Sequence, residues 1–249
     1  MSEEAEDNVP RSVAAGMYLR EAHKMMRKRA REAALAELGQ PLEEAYSLAF
    51  QAVAMAAMQR DGEVSKRPSA EPDRRGTILA AFVTGLLLVE EAILEGFNPQ
   101  ASCLVRQEIE GIAALEEIQR GRRVDKQTPN IRMVDSLDGR VYGGLSNISH
   151  LSDHSSLRAL VNAPEEIDHP PGPVAANLMS PQHLPESTRR MFGLHVLLML
   201  HLVNYWAYHL EEQHDEELSQ EAIDVANQAF LLLARAAVIT IGDESPTVP

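Results

Sequence analysis

Cysteine is almost missing: Cys103 is the only one in 249 residues. That excludes an intrachain disulfide, and no cysteine-built zinc site can form. Aromatic side chains are scarce too, at 4 % against 45 % hydrophobic residues overall. Ala, Leu and Met fill the gap, the side chains that lose least rotamer freedom in a helix. Clear runs of alternating β-branched residues are lacking, so a sheet has little to build on. Positive charge is short as well: 23 basic against 37 acidic side chains leave a formal charge of −14. That balance favours solubility and opposes broad adhesion to nucleic acid or anionic membrane. A Gly-rich phosphate loop, a Gly-x-Ser-x-Gly elbow and a nucleotide-binding strand–turn–helix are all absent, so no cofactor is expected.

What is present reads as a single all-α domain: a helical bundle of about seven helices with a Pro-rich irregular arm. Residues 1–10 make an acidic N-terminus expected to be disordered, 11–241 the helical domain, and 242–249 a disordered tail. The acidic start, Met1 to Asp7, is the reverse of a signal or transit peptide. With the lone cysteine it fits a reducing cytoplasm.

The spacing of apolar residues and breakers predicts helices over Arg11–Leu38, Leu42–Gln59, Asp73–Glu95 and Ala101–Arg120. Gly39 and Pro41 separate the first two; Gly96 and Pro99 separate the last two. A fifth helical piece starts near Arg140 or Ser146 and ends before Pro164. The Pro-rich arm, Pro164–Pro185, follows, and then helices over Ser187–Glu212 and Leu218–Ile241. Met191–Leu210 is apolar on nearly every side and about as long as a bilayer span. Yet His195, His201, Asn204 and His209 interrupt it, each costly in hydrocarbon. A central helix of a large helical domain, with no membrane, is the expectation.

Local charge departs from the average in a few places. Lys24, Arg27-Lys28-Arg29 and Arg31 form a basic cluster in an acidic chain, the best candidate for contact with an acidic partner. Glu211-Glu212-Gln213-His214 and Glu166-Ile167-Asp168-His169 contain the Glu-x-x-His spacing used in di-iron bundles. The first reads better as a solvated acidic helix end and the second lies in the Pro-rich arm, so no metal is expected. The polar tips along Ser187–Glu212 are expected to be satisfied core histidines or a dimer seam.

Two polar patterns stand out from this scaffold. On the fourth helix, Leu104, Val105, Ile109, Ile112 and Leu115 share a face. Arg106, Glu110 and Glu117 form a stripe beside it, while Glu108 and Glu116 intrude into the apolar arc. Arg106 precedes Glu110, the less favourable order for an exposed helical pair. The second pattern is Tyr142-Gly143-Gly144-Leu145-Ser146-Asn147-Ile148-Ser149-His150, followed by Asp153 and His154. Tyr142, Ser146 and His150 recur every fourth residue, so a helix would align phenol, hydroxyl and imidazole, with Asp153 and His154 continuing the face. Such a row offers donors, acceptors and a group that titrates near neutrality. Adjacent Gly143 and Gly144 would weaken that helix or let another backbone approach.

An Arg-x-x-x-Glu helix followed by a Tyr-x-x-Leu-Ser-x-x-x-His segment resembles the HEPN-like helical families, including uncharacterised bacterial members with this motif pair. Arg106, Glu110, Tyr142, Leu145, Ser146 and His150 carry the resemblance, which covers about residues 75–160. It implies a helical bundle, often dimeric, sometimes a metal-independent RNase in toxin–antitoxin or phage-defence systems. A homodimer and an RNA partner are therefore expectations. The nuclease members' signature is Arg, about four to six residues, then His. Arg140 and His150 are too far apart for it; Arg189 and Arg190 precede His195 at permitted distances, as chance alone would arrange.

If RNA is cleaved, the chemistry is transesterification by the RNA's own 2′-hydroxyl. His150 would be the general acid or base, Arg106 would hold the phosphate, and Glu110 would orient one of them. Tyr142, Ser146 and His154 would contact the substrate. The competing reading is a non-catalytic helical interaction or scaffold protein. An open cleft at these side chains favours a site, whereas a closed ion-pair network favours a scaffold.

Overall fold

A computed structural model describes residues 11–59, 70–134, 139–161 and 180–237. Among them lie eight α-helices, one short 3₁₀ turn and no strand: α1 (Arg11–Leu38), α2 (Gln40–Met58), α3 (Ala70–Leu94), α4 (Asn98–Gln119), the 3₁₀ turn Ile131–Met133, α5 (Gly139–Ser149), α6 (His154–Val161), α7 (Pro185–His214) and α8 (Gln220–Arg235). The all-α bundle is as expected. The expected disordered ends, residues 1–10 and 242–249, and most of the Pro-rich arm lie outside the described residues.

Backbone chemistry explains the boundaries. Gly39 adopts φ 71° between α1 and α2, and Pro41 sits in the first turn of α2. Gly96 adopts φ 78° between α3 and α4. A side chain there would also collide, because a Cβ would lie 2.5 Å from the Gln182 carbonyl oxygen. Gln182 donates its backbone N–H to the Gly96 carbonyl, and its own carbonyl accepts from buried Asn98 Nδ2 at 2.9 Å. The last residues of the Pro-rich arm are thus pinned into the α3–α4 corner just before Pro185 opens α7. Asp215, at φ 56°, closes α7 with a left-handed cap, and the Ser219 hydroxyl caps α8. The last helix was expected to reach Ile241. It ends at Arg235, where a turn places Ala237 at φ 56°.

α7 is the central rod. Phe192, Val196, Leu198, Met199, Leu202 and Leu210 are all buried, and 61 % of its most apolar window is inside the protein. Each fully buried side chain of this size contributes about 1.5–3 kcal/mol by leaving water. α2 packs on α8 and α7 through Ala45, Ala49, Ala52 and Ala56, none of them exposed, so small side chains set a close approach. α3 and α4 cover another flank of α7, and α5 lies on α4. Two helices, over Arg74–Leu94 and Pro185–His214, are long and apolar enough to cross a bilayer by length and composition.

One expectation fails. Residues 139–161 form two helices rather than one, because Leu151 turns left-handed at φ 53°. The N–H groups of Leu151, Ser152 and Asp153 fold back onto the carbonyls of Ile148 and Asn147, which ends α5 at Ser149.

Candidate functional site

α4 presents Arg106 and Glu110 one turn apart, and α5 lays Tyr142 against them. Leu145, buried on the inner face of α5, anchors that contact. Arg106 Nη2 lies 2.8 Å from Glu110 Oε1, and the Tyr142 hydroxyl donates to the same oxygen at 2.7 Å. The guanidinium carbon also stands 5.8 Å from the centre of the Tyr142 ring, within cation–π range. The Arg106 and Glu110 side chains are only 19 % and 24 % exposed. Partial burial raises the Tyr142 hydroxyl above its ordinary value, and the hydrogen bond to Glu110 raises it further. Burial opposes the Arg106 charge, but its bonds to Tyr142 and Glu110 outweigh that and hold the guanidinium protonated. The result is a closed clasp joining α4 to α5, three of the expected site residues drawn together.

The other three stay apart. Ser146 is half-buried on α5, and His150 lies in the turn after the helix, exposed. Among the described residues neither side chain bonds to Arg106, Glu110 or Tyr142. His154 opens α6 and is exposed too. The expected continuous face from Tyr142 to His154 is broken by the Leu151 turn. Asp153 serves another purpose there: its carboxylate accepts from the N–H groups of Ser155 and Ser156 and from both hydroxyls. Those bonds lower its pKa to about 2 and make it the N-cap of α6. Gly143 and Gly144 admit no neighbouring backbone; a Cβ on either would meet nothing within 4 Å.

Two clefts among the described residues lie elsewhere, along α4 and α7. One, about 670 Å³, is bounded by Glu116 of α4 and Arg120 just past its end, by Met133 and Val134, and by His201, Tyr205, Tyr208 and Glu211 of α7. A second, about 560 Å³, adjoins it and shares Tyr208 and Glu211; Arg75, Gln119, Glu212 and Asp215 are the polar side chains among its other lining residues. Glu116 is held on two sides, by the Tyr205 hydroxyl at 2.6 Å and by Arg120 Nε. Burial pushes the Tyr205 phenol far up, and the bond to Glu116 adds to it. Burial holds His201 below the ordinary imidazole range despite Glu116 nearby, so its neutral form prevails at pH 7. Arg75, 4 % exposed, is clamped by Glu212 and by Gln119 Oε1.

No family model, curated protein or solved structure matches the chain. What the clefts can do therefore rests on their residues alone.

Sequence reasoning missed the clefts, although the signal was there: Glu116 was one of the two acids that spoil the apolar arc of α4. The other, Glu108, is 6 % exposed, and both its oxygens lie 2.9 Å from Nδ1 of the fully buried His195. Burial raises the Glu108 carboxyl, and the charge of His195 opposes that rise. Among the described residues no group of three or more His, Cys, Asp or Glu could hold a metal ion. Glu211 is exposed whereas His214 is buried beside His209, so that Glu-x-x-His pair is split between solvent and core. Glu166 and His169 lie outside the described residues.

Proposed function

We propose that this chain is a non-catalytic helical interaction protein of the cytoplasm, HEPN-like in the order of its motifs, in which Arg106, Glu110 and Tyr142 form a structural clasp. One observation carries the reading: Glu110 Oε1 accepts from both Arg106 and Tyr142 in a part-buried network that lines neither cleft. A general acid–base site needs its groups within reach of a substrate and free to exchange protons. His150, the natural proton carrier of an RNA-cleaving version, sits in solvent without the guanidinium or the carboxylate as bonded partners. The formal charge of −14 also opposes RNA affinity, since phosphate contacts supply most of it.

The test incubates end-labelled single-stranded and structured RNA with the wild type, His150→Ala and Arg106→Ala. The expected result is intact RNA in every lane, with Arg106→Ala less stable to heat. Cleavage by the wild type that disappears in His150→Ala overturns the reading and restores the nuclease.

A further inference from the structure

Two features of opposite charge lie at opposite ends of the molecule, and neither is used by the clasp. The first is the start of α1. Residues 13–21 are exposed on every side, including Met17 at 60 % and Tyr18 at 78 %. Arg11–Arg31 carries seven basic side chains and one acidic one. Arg27 and Arg31 are held by Glu95 and Glu90 of α3. Arg20 and Arg29 have no ion pair among the described residues. A helical stretch this short with every residue exposed is marginal in water on its own, so this arm stands as a helix awaiting a surface.

The second feature is the tyrosine-lined double cleft at the far end of α7. Glu116, Glu211, Glu212 and Asp215 line it against Arg75 and Arg120, so its walls are acidic on balance, and Glu216, Glu217, Glu221 and Asp224 follow in the chain with no Lys or Arg among them. Glu211 and Tyr208 are exposed at the rim common to both clefts. A carboxylate beside an open aromatic face suits a guanidinium or ammonium group, by charge and by cation–π attraction.

The arm cannot reach this cleft in its own chain. Arg31 meets Glu90 and Arg27 meets Glu95, so α1 runs antiparallel to α3 and its start points away from Arg75. Arg75, paired with Glu212, marks the cleft end. From Arg75 to Glu95 the separation along α3 is already about 30 Å at 1.5 Å per residue, and the arm continues beyond Glu95. In a two-fold pair with the copies side by side and inverted, the arm end of each meets the cleft end of the other.

We infer that the basic arm of α1 docks in the acidic, tyrosine-lined cleft of a second copy, giving a two-fold dimer held by two identical arm–cleft contacts. The inference names a partner for an interaction protein, but it stands on residues other than the clasp, so an RNA-cleavage result and a dimerisation result fail separately.

Sedimentation velocity on the full chain tests it. The wild type is expected to be a dimer that dissociates as salt is raised. Arg20→Glu and Glu211→Lys, both solvent-facing, are expected to weaken the dimer about tenfold or more, with unfolding midpoints near wild type. An equimolar mixture of the two variants is expected to dimerise again, because each reversed arm then meets a reversed cleft. A monomeric wild type at low salt overturns the inference. So does a dimer insensitive to either reversal, a mixture that stays monomeric, or assembly that grows without limit.

Discussion

Tyr142 and Glu110 meet through one hydroxyl and one carboxylate oxygen, and that bond decides how the motif pair is read. A hydrogen bond to a charged acceptor is worth about 1.5–3 kcal/mol when only part-buried partners compete with water. Tyr142→Phe removes it while keeping the ring over Arg106, so a loss near the lower bound is expected, read as a lower denaturant midpoint at unchanged slope. Glu108 and His195 make the deeper pair. Glu108→Ala leaves a fully buried imidazole alone and should cost about 3–5 kcal/mol in chemical denaturation. The acids in the apolar arc of α4 were visible in the sequence as anomalies. Their partners were not, because His195 and Tyr205 lie on a helix distant in the chain, and a wheel of one helix says nothing of what faces it.

At the scale of elements, α7 carries its own pH dependence. Burial lowers the His201 and His209 values; for His209, Arg75 and His214 lower it further while Glu212 opposes them. A histidine depressed in the fold keeps its neutral-state stability above the unfolded value of about 6.5 and loses it as pH falls through the lower folded value. The unfolding temperature should therefore fall between about pH 7 and pH 5, and His201→Gln should flatten part of that fall. The Leu151 turn was not legible in advance. Ser, Asn, Leu and His in that stretch are all tolerated in a helix, and only a left-handed leucine betrays the break. Asp153 followed by two serines did hold a readable cue, an acid placed to cap the next helix. Asp153→Ala should speed amide exchange at Ser155 and Ser156 and leave α5 unaffected. Gly96→Ala, by contrast, combines an unfavourable φ with a clash on Gln182 and should cost roughly 2–4 kcal/mol.

For the whole molecule, composition and spacing were enough for the class of fold and most helix bounds. Leu- and Ala-rich periodicity marks a buried stripe whichever helix receives it, and Gly39, Gly96 and the prolines punctuate it. Which helices meet depends on contacts between distant residues, so the α4–α7 clefts could not be drawn from spacing. The asymmetry of charge along the chain survives folding as an exposed basic arm at one end and an acidic corner at the other. Association of the wild type should accordingly weaken steeply with salt in sedimentation.

The central claim is that the motif residues fasten α4 to α5 and do no chemistry. A double-mutant cycle in thermal unfolding, with Glu110→Gln, Tyr142→Phe and both together, measures it most directly. Each change is expected to destabilise and the pair to cost clearly less than the sum, with His150→Ala at wild-type stability. Single variants as stable as the wild type, with no coupling between them, would contradict it.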